Sequence, residues 1–299
     1  MSWWTSPATE TQISHGDRFW LYVLVAIIML FLVIPTLIVI PMSFSDSQYL
    51  EFPPEQWSLR WYGEYFDSTK WMRATVTSLQ VGFLTLLVAT PLGTMAAYAL
   101  FVSGHRFAKS IFLLLITPMI VPVILIAIGA FYAFGRMGIN NSITGLVLAH
   151  TAMATPLVMI VITAALRSYD LNQERVARSL GATRIKAFFT VTLPQIKFSV
   201  VTAGLLSFLT SFDEVIIAIF VSGGNNATLT KHMFAALRDF IDPTIAAIST
   251  IMVGISTALL LAIQFVGSKK KIGPKSVQGN NQCIGYCVLY FTRQGKLSR

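Results

Sequence analysis

The sequence predicts an all-α polytopic membrane protein with six transmembrane helices, and three observations carry the prediction. Of its 299 residues, 55% are hydrophobic and only 12% charged, about half the charged share of an ordinary soluble domain. The mean hydropathy of +0.67 reflects apolar residues gathered into runs, and a hydrocarbon core about 30 Å thick needs roughly 20 of them per helical crossing. Lysine and arginine, finally, are concentrated in every second connection between those runs. The length accommodates six crossings and no separate soluble domain.

The expected spans cover residues 20–42, 75–102, 111–134, 143–166, 198–221 and 244–267. They divide the chain into a cytoplasmic N-terminal segment (1–19), a membrane domain (20–268) and a basic cytoplasmic tail (269–299). The first run follows a polar segment and is too long for the core of a signal peptide, so it reads as an uncleaved span. Pro35, Pro91, Pro118, Pro122 and Pro156 fall inside spans, where neighbouring helices can satisfy the carbonyls that a proline frees.

Orientation follows from the retention of cations on the cytoplasmic side. Residues 103–110 contain Arg106 and Lys109 and no acid, and residues 167–197 contain six Lys or Arg against Asp170 and Glu174. The tail contains no acid at all. The opposite connections are poorer in cations: that after span one has Asp46, Glu51, Glu55, Glu64 and Asp67 against Arg60, Lys70 and Arg73. Both termini are therefore expected in the cytoplasm.

The net charge of +9 suggests nucleic-acid binding, but the basic residues lie between apolar runs rather than on one polar face, and that class is excluded. Cys283 and Cys287 have neither zinc nor redox spacing and read as unpaired thiols. Of His15, His105, His150 and His232 only His150 falls within a span, so no metal or nucleophile cluster emerges, and neither a cofactor nor a metal is expected. The apolar stretch 283–291 is about half the length needed to span. The first external connection carries Trp57, Trp61, Tyr62, Tyr65, Phe66 and Trp71. It predicts a short surface helix over residues 59–66, either an anchor in the headgroup layer or a docking surface for an external partner.

The connection at 167–197 is the most informative part of the chain. Asp170 or Asn172 can cap a helix that places Val176, Ala177 and Leu180 on one face. Gly181 is placed to end that helix in a left-handed conformation. Thr183 can cap a second short helix with Ile185, Phe188 and Phe189 on its apolar face, and Pro194 marks the entry to span five. Periodicity alone fits a membrane-surface hairpin without a partner as well as a docking element.

This loop resembles the signature loop of ATP-binding-cassette importer permeases, Glu-Ala-Ala, three residues, Gly, and then Ile-x-Leu-Pro after nine or so more. Ala177, Gly181, Leu193 and Pro194 match, with Ala182 and Thr183 in the usual context. Arg175 stands at the usual glutamate and Val176 at the first alanine, while Glu174 sits one position earlier. The resemblance implies a cytoplasmic coupling helix seated in a separate ATPase, with Glu174, Ala177, Gly181, Ala182, Thr183 and Pro194 carrying the coupling. The sequence has no Gly-x-x-x-x-Gly-Lys-Ser/Thr phosphate loop of its own.

Span five contains Asp213 and Glu214 between apolar flanks. A carboxylate at membrane depth costs at least about 2.5 kcal/mol unless it faces protein or water, so the pair marks either a translocation pathway or a span that ends early near the external surface. Successive helical residues diverge by about 100°, so the two acids should not face one cavity. The run Ser211–Val215, with Val221-Ser-Gly-Gly224, Asp242-Pro243, Trp57–Tyr62 and the Ser78, Gly93, Ala96-Ala97-Tyr98 pattern, is similar to the second permease of spermidine/putrescine importers. That resemblance implies a transport subunit, not an enzyme, in a bacterial inner membrane. It also implies a second permease, two cytoplasmic ATPase subunits and an external solute-binding protein. Ammonium groups need carboxylates and aromatic faces, which Asp213, Glu214, Phe212 and Tyr132 can offer, with Phe131 beside them. The rival readings are an ATP-independent channel or secondary transporter, which would need polar groups spread over several spans, and a membrane-embedded enzyme.

Overall fold

The computed structural model describes residues 18–239 and 242–268. The expectations for most of the N-terminal segment and for the tail, including Cys283 and Cys287, lie outside the described residues. Apart from one bridge between Ser45 and Trp57, the regular structure among the described residues is helical.

Helix α1 (Phe19–Met42) is apolar on all sides, and none of its residues is buried within this chain. The short α2 (Arg60–Asp67) buries Trp61 and Tyr65; it is the surface helix the aromatic residues predict, displaced by one residue. Ser68 caps α3 (Thr69–Ser103) by accepting from the Trp71 amide, which starts the helix six residues before the expected span. Gly104, at φ 58°, ends it.

The third expected span is not one helix. Helix α4 (Ala108–Ile116) and a single 3-10 turn at Thr117–Met119 are followed by α5 (Val123–Met137), bent by 90° from the first part. Pro118 and Pro122 remove two backbone donors four residues apart, and Pro122 is extended at ψ 125°. Two such lesions in one turn exceed what a kink accommodates. Helix α6 (Ile143–Arg167) follows its expected bounds.

The loop then forms α7 (Asn172–Ser179), α8 (Arg184–Ala187) and one π-helical segment at Phe188–Thr192, before α9 (Leu193–Asp213). The fifth expected span is interrupted too. Glu214 is extended at ψ 114°, and the chain resumes as α10 (Ile216–Val221). The two acids therefore sit at a helix break rather than within a continuous span. Helix α11 (Leu229–Asp239) and α12 (Thr244–Ser268) are the last among the described residues. Four helical segments are each long and apolar enough to cross a membrane, namely Phe19–Met42, Thr69–Ser103, Ile143–Arg167 and Arg184–Asp213. The bent pair makes a fifth, and the apolar stretch Thr244–Leu259 is shorter.

Helices α3, α6 and α9 pack against one another and form the core. Small residues make this approach close. A Cβ on Gly93 of α3 would lie 2.7 Å from Val158 Cβ and 3.1 Å from the Thr155 carbonyl of α6. Near the loop at 167–197, Ala97, Val158, Ile162, Leu166, Ile196 and Ala203 form one buried cluster. Another, of Val81, Ala127, Leu146, Ile217 and Val221, attaches α5 and α10 to α3 and α6. A third, around Trp71, Leu229 and Ile248, attaches α2, α11 and the start of α12 to α3.

Candidate functional site

Two places carry the residues singled out by the sequence: the loop between α6 and α9, and the helix break at the far end of α9. In the loop, Asp170 Oδ1 accepts from the Asn172 amide at 2.9 Å and starts α7. Gly181 ends it at φ +90°, with its amide bonded to the Arg178 carbonyl and that of Ala182 to the Ala177 carbonyl. This left-handed position favours glycine. Thr183 Oγ1 accepts from the Lys186 amide at 3.3 Å and caps α8, as its position predicts.

The loop presents apolar side chains outward. Leu180 is 83% and Ile185 72% exposed, and Val176 and Phe189 are more than half exposed. Ala177 and Ala182 are half-buried, Gly181 and Thr183 are exposed, and Pro194 is exposed in the first turn of α9. Phe188, expected on the same apolar face as Ile185 and Phe189, turns inward instead and packs at 4.5 Å from the ring of Tyr98.

Glu174 points the opposite way from the exposed apolar face. It is 3% exposed; Tyr98 OH donates to its Oε1 at 2.7 Å and Thr192 Oγ1 to its Oε2 at 2.8 Å. Gln195 donates to Gln173 beside it. The π-helical segment contributes to this arrangement, since its extra residue per turn brings Thr192 to α7. One carboxylate thus ties α7 to the end of α3 and to the start of α9. Sequence reasoning placed Glu174 in the loop but did not find its partners, because they lie 76 and 18 residues away.

At the break, the two acids do different things. Glu214 Oε1 accepts from the Ile216 and Ile217 amides at 2.9 and 3.0 Å. It caps α10, where a carboxylate meets the unpaired N–H groups and the positive end of the helix dipole. At the other end of α10, Lys231 Nζ donates to the carbonyls of Ile219, at 3.1 Å, and of Ser222. This six-residue helix is held by a charge at each end.

Asp213 makes no hydrogen bond and no ion pair among the described residues, and it is exposed. It lines a cleft of about 570 Å³ together with Thr230, Met233, Phe234, Ser249 and Ser256. It also lines an adjoining cleft of about 550 Å³ with Thr210, Phe212, Glu214 and Met252. Among the described residues, no cation lines either cleft. Phe212 stacks on Phe208 at 5.6 Å and 16°. Tyr132 is not brought to this place: it is 69% exposed, packs edge-on against Phe131 at 5.7 Å, and lines neither cleft.

Behind the break lies a buried polar set that sequence reasoning missed. His150 of α6 meets Ser211 of α9 at 2.8 Å through Nδ1, and Ser211 donates to Thr85 of α3 at 3.3 Å. With the Ser211 hydrogen directed to Thr85, the histidine Nδ1 carries the proton and Nε2 is a bare acceptor, buried without a partner. Only spatial proximity joins these residues, so no sequence motif announces them. Among the described residues, no group of three or more His, Cys, Asp or Glu side chains is placed to hold a metal ion.

Residues 89–271 match the family model described as binding-protein-dependent transport system inner membrane component. The chain belongs to this family. The permease is 33% identical over 243 residues to the putrescine transport system permease protein PotI of Escherichia coli (strain K12), covering 79% of this chain and 86% of that one. It is 29% identical over 240 residues to the spermidine/putrescine transport system permease protein PotC of Haemophilus influenzae, covering 80% and 93% of the two chains. A chain of a bacterial ABC transporter involved in the import of the acidic polysaccharide alginate shares the fold at TM-score 0.62 and 16% identity, over 89% of this chain and 100% of that one. A bacterial alginate ABC transporter in complex with an alginate pentasaccharide-bound periplasmic protein also matches at TM-score 0.62 and 18% identity, over 84% of this chain and 93% of that one. The permease is thus a multi-pass inner-membrane subunit of an ABC importer, and the resemblance to importer permeases is borne out.

Proposed function

We propose that the permease forms, with a second permease subunit, the translocation pathway for a small aliphatic polycation of the putrescine and spermidine class. Asp213 is the observation that carries the reading. It is a carboxylate without a partner among the described residues, at the break between α9 and α10, in a cleft lined there by hydroxyls, methionines and Phe234 and by no cation. Such a site offers an ammonium group a charge and an aromatic face. The names of the PotI and PotC relatives support the same substrate class. Glu214, occupied in capping α10, keeps the helix break in place rather than meeting the substrate. Phe212 flanks the second cleft.

The exposed face of Val176, Leu180, Ile185 and Phe189 docks on an ATPase subunit, one for each of the two permeases, and an external binding protein delivers the solute. Ala177, Gly181, Ala182 and Thr183 shape this face, and Glu174 fixes it to the spans. The bent pair α4–α5 acts as span three and α12 as span six, with both termini in the cytoplasm as the cation distribution requires.

The test is ATP-dependent uptake of labelled putrescine into vesicles holding the whole complex, with spermidine, an amino acid and a ferric chelate as competitors. Saturable uptake displaced by spermidine alone is expected. Asp213→Asn is expected to lower that uptake about tenfold or more while the complex assembles normally, since a hydrogen bond to a charged group contributes about 1.5–3 kcal/mol and about 1.4 kcal/mol is a factor of ten. Uptake displaced by the amino acid or the chelate would reject the polyamine, and unchanged kinetics in Asp213→Asn would make that residue structural.

A further inference from the structure

A separate pocket lies at the end of the bundle that carries the coupling loop, and the transport mechanism leaves it unused. It has a volume of about 420 Å³ and is formed by the last turns of α3 and α6 and the first turns of α4. Phe101, Phe112 and Leu113 give it an apolar wall, and Lys109 and Arg167 stand in its lining with no acid. Both cations are exposed, and neither is ion-paired, the described ion pair being Arg238–Asp239. Thr163 also lines the pocket, and its Oγ1 is buried without a hydrogen-bond partner. The surface is therefore incomplete in three respects at once: an apolar wall, two unpaired cations and an unused hydroxyl.

The chemistry of the occupant follows by elimination. A small soluble anion pairs with the cations but leaves the aromatic wall wet. A net-neutral lipid covers the wall but brings a positive group to two cations. A phospholipid with net negative charge meets both needs, and basic pockets between transmembrane helices are where such headgroups bind. The location fits, because Arg106 and Lys109 lie in a connection without an acid, the kind retained on the side of the anionic cytoplasmic headgroups.

We propose that this pocket binds an anionic phospholipid, its phosphate between Lys109 and Arg167 and one acyl chain along Phe101, Phe112 and Leu113. The bound lipid holds α4, the first half of the bent span, against α3 and α6 beside the coupling loop.

The experiment uses the full-length permease assembled with its ATPase subunits in a mild detergent. Thermal unfolding is followed while dioleoyl phosphatidylglycerol, dioleoyl phosphatidylcholine, or inorganic phosphate is titrated in, and native mass spectrometry counts retained lipids. Phosphatidylglycerol is expected to raise the unfolding temperature and to be retained, whereas phosphatidylcholine and phosphate are not. Lys109→Gln with Arg167→Gln is expected to weaken the phosphatidylglycerol response on the order of tenfold, since each basic residue near an anionic membrane surface contributes on the order of a factor of five. Lys109→Gln alone, at an exposed position, serves if the double variant does not assemble. Arg136→Gln, outside the pocket lining, is expected to respond as the wild type. An equal response to the two lipids, a response to phosphate alone, an unaltered response in the double or single variant, or an equal loss in Arg136→Gln would each overturn the proposal.

Discussion

Replacing Glu174 by alanine tests whether one buried carboxylate holds the coupling loop to the membrane helices. The side chain accepts from Tyr98 OH at 2.7 Å and from Thr192 Oγ1 at 2.8 Å. A hydrogen bond to a charged group contributes about 1.5–3 kcal/mol. The two share one acceptor and do not add fully, so Glu174→Ala is expected to loosen the loop by about 3 kcal/mol, roughly a hundredfold in its local opening equilibrium. Tyr98→Phe removes one donor and leaves the Thr192 bond, so about tenfold is expected. Glu174→Gln keeps an acceptor for one hydroxyl but turns an N–H₂ toward the other, and should fall between the two. Arg175, Arg178 and Arg184 are exposed in this loop and are trypsin sites. When reclosing is fast, cleavage rate follows the open population, so trypsin cleavage of the detergent-solubilised permease freed of its ATPase subunits reads the equilibrium directly. Wild-type cleavage rates in Glu174→Ala would refute the reasoning. So would a Tyr98→Phe effect as large as that of Glu174→Ala.

Other outcomes follow from single sites. Gly181→Trp is expected to abolish ATP-driven uptake while leaving thermal unfolding of the spans nearly unchanged, since φ +90° disfavours any side chain and the position is exposed; normal uptake would reject the docking assignment. Gly93→Leu forces α3 and α6 apart at a contact where even a Cβ would sit 2.7 Å from Val158. It should destabilise the bundle by about 1–3 kcal/mol, read as a lower unfolding temperature of the detergent-solubilised protein. The imidazole of His232, 4.4 Å edge-on from Trp71, is held below its ordinary range by burial first and by the Lys70 charge second, against a smaller opposing effect of Asp242. A depressed histidine binds fewer protons folded than unfolded, so its contribution is fully present above about pH 6.5 and lost as pH falls through the lower folded value. Unfolding temperature should therefore fall on acidification, and His232→Gln should flatten that part of the profile.

What could be read from the sequence divides along the range of the interactions involved. The apolar runs gave the long helices α1, α3 and α6 because hydropathy is additive along the chain. Gly181 and Thr183 were legible because capping is decided within four residues. Span three was misread as one helix: each proline alone is tolerated in a membrane, but Pro118 and Pro122 act on the same turn. Span five was misread because hydropathy does not register that Glu214 can cap a helix two residues ahead. The Glu174–Tyr98–Thr192 and His150–Ser211–Thr85 sets were not legible at all, since each joins three elements distant in sequence.

These two sets lie at opposite ends of the same rod, and this gives the proposed mechanism a physical route. Helix α9 has 21 residues and so is about 30 Å long at 1.5 Å per residue. Its start is tied to the coupling loop, since Thr192 and Gln195 bond to Glu174 and Gln173 of α7. Its end is tied to the core through Ser211, two residues before Asp213, bonded to His150 and Thr85. A helix held at only one point could rotate without moving its far end in a defined direction. Because α9 also packs along its length against α3 and α6, we propose that a displacement of α7 tilts this packed set about the Ser211 contact and carries Asp213, just beyond it, the opposite way to the loop. The break after Asp213 lets this happen without dragging α10, which is held separately by Glu214 and Lys231 and packs against α5. Ser211→Ala removes the pivot contact and leaves His150 Nδ1 buried without a partner. It should therefore reduce uptake per ATP hydrolysed while leaving the trypsin sensitivity of the coupling loop at its wild-type value. If Ser211→Ala loosened the loop as Glu174→Ala is expected to, the two ends would form one cooperative unit and α9 would not act as a lever.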